Sequence, residues 1–349
     1  MIKEIQALRC WAIIFVIVNH LNMIIPSNYQ HLYTKFRQIF HTSSGVELFF
    51  VIAGYFLMQY LSRQNLHAIN ERARLYLNLI IKKIKRLSPA LYFWAITILI
   101  MSVLTNNQEL WLKPSIMIQK FLATLSYLRN FEESGRESYF GFPWAVSLEF
   151  QFFVIFPIIY LTIGKSKSLL LSVGLCLLMT FYRFGGEYFW WFRFDGMLYG
   201  VLCYYIVNDL IGIDSLKSSF NVSKVSVFFI SLISLFELAS VFIYLINFPI
   251  LKSSMASILS CIMLILALCN RNFFYPSIPI IKNIILWMGN RSYSLFCCHV
   301  PAWFIVKQTY ISLNLDMRYM FLVQLILMFV FADITYRFIE NMFQKKKKL

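Results

Sequence analysis

Charged residues are scarce in this chain of 349 residues. Asp, Glu, Lys and Arg together make up 14% of it, whereas soluble domains carry about 25%. Hydrophobic residues make up 59%, and apolar runs long enough to cross a hydrocarbon core of about 30 Å recur along the whole sequence. The composition therefore excludes an ordinary soluble domain and predicts an integral membrane protein.

The cysteines lack the spacing of a metal site or of a disulfide framework. All seven lie in apolar segments, and the adjacent Cys297 and Cys298 are expected to act as small packing residues. We therefore expect no metal cofactor.

The sequence also lacks an internal repeat, a linker and any stretch between the apolar runs that is long enough for a soluble domain. The longest such stretch is residues 105–142. The beginning of the chain has no small-residue cleavage site, so we expect the first apolar segment to be retained. We interpret residues 1–349 as a single integral membrane domain.

The apolar segments predict an all-α fold, a polytopic integral membrane helix bundle. We expect about ten transmembrane helices, at residues 8–25, 45–61, 87–104, 143–163, 168–182, 188–207, 225–246, 254–270, 284–306 and 319–337. Lys and Arg are more numerous in the loops that would be cytoplasmic if the chain begins and ends inside, so both termini are predicted to be cytoplasmic. The net charge of +16 then belongs to membrane loops, and no nucleic-acid partner is expected.

Arg9 and His20 stand in the first apolar segment. A charge or an imidazole inside an apolar span is expensive and normally marks function. Eleven helical positions turn the chain by about 1100°, so the two side chains share one face, roughly 16 Å apart along the axis. This arrangement suits a reaction whose two substrates meet within the bilayer.

Other polar residues are expected at the depth of His20, because a helix rises about 1.5 Å per residue. The predicted layer contains His20, Glu149, Arg193, Asp195 and His299, with Glu47 just above it. A buried, water-accessible active site would produce such a layer. The alternative is a set of hydrogen-bonded struts that hold the bundle together.

The predicted inner surface carries four cations immediately before the third helix, namely Lys82, Lys83, Lys85 and Arg86. They are either a topology signal that contacts lipid headgroups or a docking site for a phosphorylated cytosolic donor. Arg9 lies at the same surface. The lysines at 345–348 are interpreted as an orientation and anionic-lipid signal.

Taken in order, these motifs resemble the acyltransferase-3 family of integral membrane acyltransferases. The resemblance covers nearly the whole chain. It comprises Arg9 with His20, residues 45–55 (GVELFFVIAGY), 82–89 (KKIKRLSP), 144–152 (WAVSLEFQF), 193–196 (RFDG), 292–301 (SYSLFCCHVP) and 336–340 (YRFIE).

Four positions depart from the pattern of that family. Glu47 replaces an aspartate and Ala53 a serine, while Phe150 stands where a second acidic residue is common. Cys298 occupies the usual tryptophan position. Since the acid at position 47 is kept, we expect the chemistry to be intact. Some relatives carry a fused hydrolase-like domain, and this chain resembles the membrane-only class.

The resemblance implies O-acylation, usually O-acetylation, of a glycan hydroxyl at the outer side of a bacterial plasma membrane. The donor would be acetyl-CoA from the cytoplasm. The acceptor would be a cell-surface glycan such as lipopolysaccharide O-antigen, exopolysaccharide or capsule. The oligomeric state does not follow from the sequence.

The residues and the resemblance together suggest roles for ten side chains. Neutral His20 would act as general base, because the unperturbed pKa of histidine lies near the operating pH, and Glu47 or Glu149 would orient it. The donor phosphates would lie near Arg9, Lys85 and Arg86. Trp144, Ser147, Arg193 and His299 are candidates for acceptor binding.

Two readings from other classes compete with an enzyme. Composition alone fits a transporter or flippase of a glycan or glycolipid equally well, although no inverted repeat is visible. A non-catalytic membrane scaffold is the second alternative. A transporter would move its solute without consuming a thioester, which distinguishes it from the acyltransferase.

Overall fold

The computed structural model describes residues 2–64, 68–105, 107–131, 140–182, 191–219 and 222–344. Within these ranges it is all-α and contains no β-strand, as predicted. The lysines at 345–348 lie outside the described residues. The helices are α1 (Lys3–His20), α2 (Gln30–Arg37), α3 (Gly45–Ser62), α4 (Ile69–Leu104), α5 (Gln108–Trp111), α6 (Pro114–Leu125), α7 (Pro143–Ile163), α8 (Lys165–Phe181), α9 (Asp195–Tyr205), α10 (Ile213–Ser219), α11 (Lys224–Tyr244), α12 (Lys252–Cys269), α13 (Pro279–Asn290), α14 (Ser292–Ser312), α15 (Met320–Ile334) and α16 (Asn341–Gln344).

Seven helical stretches of the described chain are long and apolar enough to cross a membrane. They are Lys3–Met23, Thr42–Ser62, Ile69–Leu104, Pro143–Ile163, Lys224–Tyr244, Pro249–Cys269 and Met317–Phe343. An eighth span would be the pair Asp195–Ile211 and Ile213–Ser219, which is bent by 82°. The molecule is therefore a multi-pass membrane helix bundle.

The third predicted helix is much longer than expected. It begins at Ile69 instead of residue 87 and has 36 residues, which is roughly 54 Å of helix. The Glu71 carboxylate accepts a hydrogen bond from the Ala68 amide at 3.2 Å and caps this early start. The basic run at 82–86 therefore lies inside α4 and not in a loop before it.

Two other predicted helices differ at their boundaries. The segment 284–306 is interrupted at Arg291, where α13 ends and α14 begins. The Arg291 guanidinium is held there by Asp333 at 2.5 Å and lies 4.5 Å from the centre of the Trp287 ring. The first three residues of the predicted segment 188–207 lie outside the described residues. The described helix α9 starts at Asp195, so Arg193 precedes it.

Helix α1 is the centre of the bundle and packs against α3, α12, α13 and α14. Helices α3 and α9 cross closely, because two glycines let their backbones touch. A Cβ atom on Gly54 would lie 1.9 Å from the Met197 carbonyl oxygen, and one on Gly200 would lie 2.2 Å from that of Val51. Small residues at such crossings let membrane helices approach each other closely.

The described part of the stretch 105–142, the longest between the predicted helices, packs against the bundle. Helix α6 packs along α4. Beyond it, the Tyr127 and Ser88 hydroxyls share a hydrogen bond of 2.7 Å. The next helix, α7, therefore begins beside the bundle core.

Candidate active site

The histidines of two packed helices, His20 in α1 and His299 in α14, face each other. His299 Nε2 lies 3.3 Å from His20 Nδ1, and the ring centroids are 5.1 Å apart. His299 is fully buried, whereas His20, the last residue of α1, is only half-buried. His20 is therefore accessible to a substrate, whereas His299 is not.

The surroundings of His299 are aromatic. The ring centroids of Phe142, Phe296 and Trp303 lie 5.7, 6.1 and 5.6 Å from that of His299. Such walls exclude water, so polar interactions inside them are stronger than in solution.

A cavity of about 410 Å³ lies toward the other end of α1, between α1, α3, α4, α7 and α14. Its polar wall carries Arg9, Lys82, Lys83, Arg86 and Glu149. The remaining wall is mostly apolar, with aromatic side chains that include Phe49, Phe50, Phe56, Tyr60, Phe153 and Phe296.

This cavity has a basic part and an apolar part, and it approaches the histidine pair only through Phe296, since neither His20 nor His299 lines it. Lys82 and Arg86 are exposed, so the basic end meets solvent. At the other end, Phe296 lines the cavity and also packs on the His299 ring. The lining suits a molecule that has phosphates at one end and an apolar arm at the other.

The basic run contributes a different set of cations from the predicted one. At roughly 100° per residue, Lys82, Lys83 and Arg86 fall within about 100° of one another, while Lys85 points about 105° away from their mean direction. Lys85 is exposed and is not among the cavity-lining residues. Of the predicted donor residues, the structure therefore brings Arg9 and Arg86 together in the cavity wall, joined by Lys82 and Lys83 of the same basic run.

Glu149 is paired with a cation and not with His20. Its Oε1 lies 2.5 Å from Lys83 Nζ, and the exposed fractions of the Lys83 and Glu149 side chains are 4% and 21%. The Lys83 ammonium also lies 3.4 Å from the centre of the Phe153 ring. The carboxylate offsets one of the four cations of the cavity and leaves it strongly positive.

Glu149 lies away from the histidine pair, because α7 begins beside His299 and carries the carboxylate toward the cations. Its first residue, Pro143, follows Phe142, which already packs on His299. Six further residues carry the helix roughly 9 Å away from the histidines. Glu149 consequently lines the same cavity as Arg9.

Glu47 is also held by a cation. The Arg193 guanidinium forms an ion pair with its carboxylate and donates a hydrogen bond to Ser253 Oγ at 2.7 Å. The same guanidinium lies 5.4 Å from the centre of the Trp144 ring. Glu47, Arg193 and Trp144 thus form one cluster, and Ser253 belongs to it although nothing in its sequence context marks it.

The two remaining polar candidates are buried. Ser147 is fully buried, and its hydroxyl has no hydrogen-bond partner among the described residues. Asp195 is buried at the start of α9. Neither is among the residues that line the described cavity.

The sequence model of the acyltransferase-3 family, described as an acyltransferase domain, matches residues 2–337. The chain belongs to the acyltransferase-3 family. The match contains the histidine pair, every cation of the cavity and the Glu47–Arg193 pair, so the whole site lies inside the acyltransferase-3 domain.

Relatives of this acyltransferase-3 chain are named O-acetyltransferases. It is 26% identical over 379 residues to the O-acetyltransferase OatA of Staphylococcus aureus (strain NCTC 8325 / PS 47), covering 98% of this chain and 57% of that protein. It is 25% identical over 384 residues to another protein named as an O-acetyltransferase, from Staphylococcus aureus (strain COL), covering 99% of this chain and 58% of the relative. The chain thus spans well under two thirds of these relatives. No solved structure matches it.

Proposed function

We propose that the chain is an O-acetyltransferase that moves an acetyl group from cytosolic acetyl-CoA to a hydroxyl of a cell-surface glycan. The observation that carries the proposal is the cavity whose wall holds Arg9, its neighbouring cations and Phe296, the last of which packs on the His299 ring. The family and the names of the relatives support the class of reaction.

The donor would enter at the basic end. Coenzyme A carries phosphates that suit Arg9, Lys82 and Arg86, and guanidinium groups bind phosphate through two parallel hydrogen bonds. The pantetheine arm would follow the apolar wall past Tyr60 and Phe50 toward Phe296. The thioester would then arrive next to His20.

The reaction would be a direct acyl transfer with His20 as general base. His20 takes the proton of the acceptor hydroxyl while the hydroxyl oxygen attacks the thioester carbonyl carbon. The carbon–sulfur bond breaks, and the coenzyme A thiolate leaves with the proton that His20 accepted. The ester remains on the glycan and His20 returns to its neutral form.

The acceptor would approach from the outer side of a bacterial plasma membrane. In this arrangement about ten helices cross the bilayer and both termini are cytoplasmic. The cluster of Glu47, Arg193 and Trp144 offers a cation and an aromatic face to a sugar, and we assign it to acceptor binding. Lipopolysaccharide O-antigen, exopolysaccharide and capsule are acceptors of the required chemistry.

The test is transfer of radiolabelled acetyl groups by purified protein in liposomes, with a glycan extract from the source cells. The wild type should place label in an alkali-labile ester on the glycan, and His20→Ala should abolish this label. His31→Ala, which changes an exposed histidine of α2, is the matched control and should transfer normally.

Two results would contradict the proposal. Normal labelling by His20→Ala would remove His20 from the chemistry. If well-folded wild type consumes no donor in the presence of the glycan, the enzyme reading fails, and flux measurements would then test a glycan or glycolipid transporter.

A further inference from the structure

The tautomer of His299 follows from its neighbours. Its Nδ1 lies 2.9 Å from the Phe296 carbonyl oxygen and 3.2 Å from that of Leu295. A carbonyl oxygen only accepts hydrogen bonds, so Nδ1 carries the hydrogen. Since His299 is fully buried among aromatic rings, a second proton would leave a buried charge, which is costly. The Nε2 atom of His299 is therefore a lone-pair acceptor.

The tautomer of His20 follows in the same way. Its Nδ1 lies 2.8 Å from the Val16 carbonyl oxygen, so this nitrogen must carry a hydrogen as well. The same N–H group faces the lone pair of His299 Nε2 at 3.3 Å. The hydrogen on His20 Nδ1 is shared by two acceptors, and the free lone pair of His20 is on Nε2.

We propose that His299 is a positioning residue that holds His20 in this tautomer and ring orientation, with Nε2 presented as the base. The proposal rests on the proposed function for the reaction but on the histidine geometry alone for the tautomer. A base whose other ring nitrogen is held by a third group is the usual arrangement in acyl transfer. Here a neutral imidazole and a backbone carbonyl take the place of a carboxylate.

The two carboxylates expected to orient His20 are engaged elsewhere. Glu47 forms its ion pair with Arg193, and Glu149 forms its ion pair with Lys83. His299 donates to its own helix and accepts from His20, so it needs no charge for this task. The sequence predicts His299 as an acceptor-binding residue. The geometry places it instead against His20, the proposed base.

The kinetic test compares His299→Gln with His299→Leu in the acetyl-transfer assay. A glutamine amide oxygen can accept the hydrogen bond from His20 Nδ1, whereas leucine cannot. We expect His299→Leu to lower kcat about 10- to 100-fold with the KM values for donor and glycan unchanged. His299→Gln should recover most of that loss.

The control for packing is Cys298→Ala, which truncates the neighbouring buried residue of α14 and should leave kcat unchanged. Folding of each variant is checked by its binding of acetyl-CoA. Equal losses of kcat in the leucine and glutamine variants would overturn the proposal. An effect confined to the KM for the glycan would overturn it too, since that result makes His299 an acceptor-binding residue.

A second test needs no activity. The chain has five histidines, so ring-labelled nitrogen-15 spectra can be assigned by single substitutions. We expect His20 and His299 to show the tautomer with hydrogen on Nδ1, and the His20 Nδ1 resonance to shift in His299→Leu, which removes one of its two acceptors and leaves the Val16 carbonyl. Hydrogen on Nε2 of wild-type His20 would contradict the proposal, whether or not a glycan substrate has been found.

Discussion

At the scale of single residues, the cavity depends on the direction in which each side chain leaves α4. Lys82, Lys83 and Arg86 share a face of the helix and line the cavity, while Lys85 lies on another face. The four basic residues within positions 82–86 would look equivalent in the sequence. Their positions around the helix distinguish the three residues that line the cavity from Lys85, which does not line it.

This difference predicts unequal effects of two neighbouring substitutions. Arg86→Gln should raise the KM for acetyl-CoA about tenfold, because a charge-assisted contact with phosphate is lost. Lys85→Gln removes the same charge one residue away and should raise that KM much less. Steady-state kinetics at fixed ionic strength measure both, and equal increases would show that the cations act only through their general field.

At the scale of helices, the crossing of α3 and α9 fixes the position of Glu47 relative to Arg193. Glu47 stands in the first turn of α3, and Arg193 lies just before α9. The glycines at the crossing let the two backbones touch. Any side chain there would push the helices apart and would strain the ion pair.

Gly54→Ala is therefore expected to destabilise the protein by about 1–3 kcal/mol, the usual cost of overpacking. Gly174→Ala in α8 is the matched control, because its Cβ would meet nothing within 4 Å, and alanine favours a helix over glycine by up to about 1 kcal/mol. Unfolding in detergent should separate the two variants. Equal stabilities would mean that the crossing can relax.

Helix boundaries also limited what the sequence could predict about the site. The spacing of Arg9 and His20 within one helix is local, so their placement on a shared face needed only the helical repeat. The depth of Glu149 depended on where α7 starts, and that start is set by a segment that folds back against α4. The contact of His20 with His299 joins residues 279 positions apart, which no periodicity reveals.

At the scale of the whole molecule, the site has two ends that should open on opposite sides of the membrane. Introduced cysteines can test this, because six of the seven native cysteines are buried and Cys261 is half-buried. We choose two positions for substitution by cysteine. Asn28 lies on the side of the molecule where α1 ends at His20, and Ser166 lies in the first turn of α8. Both positions are exposed.

A membrane-impermeant maleimide should label the cysteine at position 28 in intact cells and the one at 166 only after the membrane is opened. The expected difference follows from the rise of α1 and from the positive-inside rule. Labelling of both positions in intact cells would contradict the proposed topology. A cysteine-free parent would serve as the background control.

The distance between Arg9 and His20 along α1 determines which part of the donor crosses the membrane in the proposed reaction. In the proposed reaction the spent coenzyme is released on the side where metabolism can recharge it. Only the two-carbon group is exported, and it leaves already joined to its destination. Cells would therefore need neither an extracellular pool of activated acetate nor a pump to maintain one.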